Sequence, residues 1–133
     1  MVTREDIESF LIRTEVDVRE IGEGLWYVLT HFDAPGEHPG IVVTYQPPLV
    51  VFRADIRAIP LDDEDQLQLY RRLLELNATD VVHGAFALEK DKVILTDTLN
   101  LENLDFSEFR ASLESIGLAI NTHLPELTLE ISE

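Results

Sequence analysis

Cysteine is absent from the 133 residues. That excludes disulfides, thiolate metal sites and cysteine nucleophiles. Basic residues are scarce: 10 Lys and Arg stand against 26 Asp and Glu, a net charge of −16. Such a field repels phosphate backbones and anionic lipid, so neither nucleic acid nor a membrane is an expected partner. No apolar stretch reaches membrane-spanning length, and no N-terminal segment pairs basic residues with an apolar run. With no address of that kind, the expected location is the cytoplasm. Repeats, low-complexity tracts and linkers are missing too, and the length fits one domain over residues 1–133.

Motifs for chemistry are equally sparse. There is no G-x-S-x-G elbow and no phosphate loop. Gly22 and Gly24 lack the third glycine and the following helix of a dinucleotide fingerprint. The histidines are His31, His38, His83 and His123, and no two of them share the three- or four-residue spacing of a helical metal site. The run Asp62, Asp63, Glu64, Asp65 leads into a leucine-rich segment and not into a calcium loop with a central glycine. It reads as negative charge placed at a helix start, where the helix dipole favours it. Trp26, Tyr27, Tyr45 and Phe52 have no basic interleaving, which argues against a nucleic-acid stacking platform. The expectation is a protein that is not an enzyme, with no metal and no cofactor.

What is present is regular patterning, with 45% hydrophobic residues, enough for a folded core. Thr3 and Asp6 mark the start of a short helix with Ile7, Phe10 and Leu11 on one face, ending near Thr14. "LWYVLTHF" (25–32), "IVVTYQ" (41–46) and "LVVFRADI" (49–56) read as strands, with a Pro- and Gly-rich loop at 34–40 between the first two. Pro47 and Pro48 mark a turn. A second helix carries Leu67, Tyr70, Leu73, Leu74 and Leu76, and Asn77 reads as its C′ residue. "VVHGAFAL" (81–88) and "VILTDTL" (93–99) read as a hairpin around "EKDK". Asp105 and Glu108 form a capping box for a last helix with Phe106, Phe109, Leu113, Ile116 and Ile120, which Pro125 is expected to end, leaving "ELTLEISE" as a tail or edge strand.

The third strand has two apolar faces. Val50, Phe52, Ala54 and Ile56 share one; Leu49 and Val51 sit with Arg53 and Asp55 on the other. A half-apolar second face implies cover from another element or another subunit. Tyr45, Leu49 and Val51 are therefore the candidate partner- or dimer-facing residues. Gly84 is expected to admit a close backbone or side-chain approach. His83 is expected on an exposed or lightly covered strand face.

The segments "LLELNA" (73–78), "HGAFAL" (83–88), "KVIL" (92–95) and "LENLDFSEF" (101–109) resemble the YbjN-like family, described as sensory transduction regulators. The element order α-β-β-β-α-β-β-α, in an acidic chain of this length, resembles the type III secretion chaperone fold. That resemblance implies an α+β fold: a curved antiparallel five-stranded sheet with helices packed on it. It implies a homodimer, and a chaperone-like or regulatory module that holds a segment of a client protein on apolar sheet and helix surfaces. The alternative is a small-ligand sensor with a pocket between the sheet and the last helix, where His83 or Tyr70 supplies polarity.

Overall fold

The computed structural model describes residues 1–29 and 39–129. The elements run α1 (Arg4–Arg13), β1 (Asp17–Gly22), β2 (Leu25–Leu29), β3 (Ile41–Gln46), β4 (Leu49–Ala58), α2 (Asp63–Thr79), β5 (Ala85–Glu89), β6 (Lys92–Asn100) and α3 (Phe106–Leu129). Residues 30–32 of the first expected strand, most of the loop at 34–40 and the histidines His31 and His38 lie outside the described residues. So do residues 130–133 of the expected tail.

The strands form one antiparallel sheet in the order β1-β2-β3-β4-β6-β5. Pro47 and Pro48, joined by a cis bond, turn β3 into β4. The helices start as the sequence dictates. The Thr3 hydroxyl accepts from the Asp6 N–H, and the Asp6 carboxylate accepts from the Thr3 N–H. Asp62 caps α2 by accepting from the Glu64 and Asp65 N–H groups at 3.1 Å each. Asp105 and Glu108 exchange bonds of 2.8 and 3.2 Å at the start of α3.

One sheet face carries the core. Val43, Val50, Phe52, Ala54 and Leu95 are buried there under Phe109, Leu113, Ile116 and Ile120 of α3. The Phe109 ring packs 5.2 Å from Phe52 and 5.4 Å from Phe10, which ties α1 and the sheet to α3. The opposite face carries Leu49, Val51, Arg53 and Asp55 of β4 beside Val42 and Thr44 of β3 and Thr96 and Thr98 of β6.

Four expectations need correction. The α+β class holds, but the sheet has six strands among the described residues and not five. β1 escaped because all six of its residues are exposed and no apolar alternation marks it. Residues 81–84 are not strand: Gly84 has φ +86°, and a Cβ there would meet the Thr96 carbonyl oxygen at 2.6 Å, so the chain enters β5 only at Ala85. The close approach expected at Gly84 is thus real. On α2 the buried stripe is Leu69, Leu73 and Leu76, spaced to share one face, while Leu67 and Leu74 project outward.

Pro125 does not end α3; the helix continues to Leu129. Proline removes one helical hydrogen bond, and tertiary contacts hold the turn beyond it. Leu124 and Leu127 are buried. The Arg57 guanidinium from β4 donates to the Leu127 carbonyl at 2.7 Å, and Arg72 from α2 binds both Glu126 carboxylate oxygens, at 2.5 and 3.1 Å.

Candidate functional site

The two edge strands each border a groove. At the β1 edge, α1 lies over the end of the sheet. Leu11 and Trp26 are buried at the floor, and Ile12, Val18, Glu8 and Glu20 form the rim of a groove of about 220 Å³. The register pairs Val18 with Val28 and Glu20 with Trp26, which puts both rim residues of β1 on the helix-covered side. Ile12 is 76% exposed although its helix is amphipathic. β1 has one ladder partner, β2, among the described residues. Its outward backbone groups form an edge that a further strand can pair with.

At the other edge, α2 runs beside β5. Tyr70, Leu73, Leu74, Phe86, Ala87 and Leu88 line a groove of about 240 Å³ together with Asn77. Asn77 is not the C′ residue of α2, which ends at the Asp80 cap. Its side chain makes two bonds to one strand residue: the Phe86 N–H donates to Oδ1 at 2.8 Å, and Nδ2 donates to the Phe86 carbonyl at 3.0 Å. A side-chain amide has one donor and one acceptor end like a peptide group. Asn77 therefore satisfies the outward backbone groups of Phe86, as one residue of a further strand would.

The open sheet face is bridged by charge. Arg53 binds Glu89 at 2.5 Å and Asp55 at 3.3 Å, and Lys92 binds Asp55 at 3.1 Å. The hydrogen bond to Glu89 raises the Arg53 pKa, and the same bond holds the Glu89 carboxyl below its ordinary range. Burial works to raise the Asp55 carboxyl, but Lys92 and Arg53 outweigh it and leave it lowered. Beside this network Tyr27, Gly40, Val42, Thr44, Arg53 and Asp55 line a shallow depression of about 400 Å³.

The sequence-chosen residues do not form one surface. Leu49 and Val51 are half-buried on the open face. Tyr45 pairs with Val50 in register and lies on the other face, packed against the core. His83 is exposed in the segment before β5, with its backbone N–H bonded to Ser115 Oγ at 3.0 Å. Tyr70 lines the α2–β5 groove. His123 is buried on α3, with Nε2 3.4 Å from the Asp80 carboxylate. The space between the sheet and α3, expected to hold a pocket on the sensor reading, is occupied by Phe52, Phe109, Leu113 and Ile116. Among the described residues no group of three metal-ligating side chains comes together, and no helix is long and apolar enough to cross a membrane.

Sequence reasoning missed the α1–β1 groove because it missed β1. The signal was there: Glu23 and Gly24 form a two-residue turn, with Gly24 at φ +68°, directly before "LWYVL".

Comparison with known proteins bears on the whole of this architecture. No curated protein matches the chain. Solved structures do. The heterodimeric ExoU–SpcU complex from the type III secretion system of Pseudomonas aeruginosa contains a chain with a TM-score of 0.66 and 13% identity, covering 93% of this chain and 98% of that one. YbjN of E. coli matches with a TM-score of 0.65 and 15% identity, over 93% of this chain and 92% of its own. The ExsC–ExsE complex matches with a TM-score of 0.64 and 18% identity, over 96% and 97%. At these identities the likeness is one of fold. The CesT_Tir_1 model matches residues 2–132, so the chain belongs to this type III chaperone family.

Proposed function

We propose that this protein is a non-enzymatic, chaperone-like binding module. It holds an extended segment of a partner protein along the β1 edge, with apolar side chains of that segment seated in the α1–β1 groove. The carrying observation is a strand exposed at all six positions beside a groove floored by Leu11 and Trp26. Backbone pairing gives affinity in this mode, and pockets for alternate side chains give selectivity. A net charge of −16 keeps a protein with such apolar surface in solution.

Self-association belongs to the same reading. Leu67 and Leu74 stand seven residues apart on one face of α2 and are 68% and 69% exposed. Leu49 and Val51 on the open face are less exposed. We assign the α2 face to a second copy of the chain.

The test is capture of partners by tagged protein from its native lysate, run beside an Ile12→Asp variant. Wild type should retain one near-stoichiometric protein, and limited proteolysis should leave a short protected segment of it. The variant should melt within a few degrees of wild type, because Ile12 is exposed, and should lose that protein. Equal capture by both would remove the groove from the reading. No companion under any growth condition would remove the client.

A further inference from the structure

The binding reading leaves the chemistry of the segment open, and the charge around the groove narrows it. Two acidic side chains, Glu8 from α1 and Glu20 from β1, stand on the rim of the groove that Leu11, Ile12, Val18 and Trp26 line. Neither is in a salt bridge among the described residues. Arg4 lies in the field of Glu8 and Glu23 as well as Glu5 and offsets part of their charge, but no cation closes a salt bridge with Glu8 or Glu20 among the described residues. Arg4 pairs with Glu5 at 3.2 Å, and the Arg13 guanidinium sits 3.9 Å over the Phe106 ring. Arg19 pairs with Tyr27 in register and so projects to the open face, away from the groove. Glu23 follows in the turn after β1 and adds to the field.

The contrast with the opposite groove is informative. Tyr70, Leu73, Leu74, Asn77, Phe86, Ala87 and Leu88 include no charged group. Acidity at the α1–β1 rim is therefore not a uniform consequence of an acidic composition.

A strand added beside β1 places every second side chain on the groove side, about 6.7 Å apart. An apolar side chain over Leu11 and Trp26 then leaves its neighbour two residues along within reach of Glu8 or Glu20. Resting on the groove reading above, we propose that the segment bound at the β1 edge carries lysine or arginine two residues from an apolar anchor, on the same face of the strand. An acidic residue at that position is rejected by like charge. Selectivity among extended segments is then set by Glu8 and Glu20, and affinity by the edge and the groove floor.

Trp26 is the only tryptophan in the chain and lies at the groove floor, so its emission reports occupancy. The probes are three synthetic peptides with threonine at every second position. The intervening positions alternate valine with lysine in the first, glutamine in the second and glutamate in the third. The lysine peptide should bind tightest at low ionic strength, about five-fold tighter than the glutamine peptide, as expected for two exposed ion pairs. That margin should shrink with added salt. In the Glu8→Gln/Glu20→Gln variant the preference for the lysine peptide over the glutamine peptide should fall to the small, salt-sensitive remainder set by Glu23 and the net charge. Equal binding of all three peptides to wild type would overturn the charge rule and leave the groove standing. No change in Trp26 emission with any of them, together with no binding by calorimetry, would overturn both.

Discussion

At one end of the sheet, β1 keeps six exposed residues and an outward row of backbone groups. At the other end, β5 lies beside α2, and both polar groups of Phe86 are bonded to Asn77. Both edges border a groove of similar size, about 220 and 240 Å³. The difference lies in the backbone and the rim. One groove adjoins a strand with a single ladder partner among the described residues and acidic side chains; the other adjoins a strand whose Phe86 is bonded by an asparagine and has an uncharged rim. An exposed edge invites pairing with any other chain. A side chain bonded within β5 obstructs such pairing there and favours the β1 edge for it.

The largest way to break this contrast is Asn77→Leu. It leaves the Phe86 N–H and carbonyl unpaired and should cost about 2 kcal/mol in a denaturant melt. It should also bring concentration-dependent association through β5, seen by light scattering. Unchanged stability with unchanged scattering would mean that Asn77 does not guard the edge.

A smaller effect separates the edges from the middle of the sheet. Leu74→Glu and Val51→Glu both place a charge on exposed or half-exposed apolar surface. Leu74→Glu should shift sedimentation towards the monomer while folding stability changes by less than about 1 kcal/mol. Val51→Glu should leave sedimentation unaltered. The reverse pattern would move the self-association surface to the open face and restore Leu49 and Val51 to that role.

The smallest effect concerns acid. The carboxyls of Glu89 and Asp55 are held low by Arg53 and Lys92. A carboxyl with a depressed folded pKa adds stability above its unfolded value, about pH 4, and loses it as pH falls through the folded value. Exposure keeps the contribution small. Hydrogen exchange, corrected for intrinsic rates, should therefore rise at β5 more than at β1 as pH falls below about 4. Arg53→Gln should remove that asymmetry. An equal rise at both edges would disconnect the ion network from β5.

Legibility in the sequence followed burial. α1 and α3 announced themselves through capping boxes and apolar periodicity, and β4 through strict alternation of Val50, Phe52, Ala54 and Ile56. β1 did not, because none of its six residues is buried and no alternation is written into the sequence. Asn77 was readable as a residue that ends helices, but its pairing with Phe86 depends on how α2 lies beside β5. Leu67 and Leu74 looked like core because an exposed leucine and a buried one are the same letter. Tyr45 shares no face with Leu49 and Val51, because the turn at Pro47 and Pro48 puts it opposite Val50.

Pro125 has one more consequence. The turn that leads into it lacks a helical bond, and the turn beyond is held by Arg57 from β4 and by Arg72 from α2. Helix ends ordinarily fray on their own, ahead of the rest of a molecule. Here the last turn cannot be released without loosening a central strand's arginine and a second helix's arginine together. Amide protection between Glu126 and Thr128 thus serves as a gauge of how firmly sheet and helices are seated on one another, read from the residues where a chain is normally least informative.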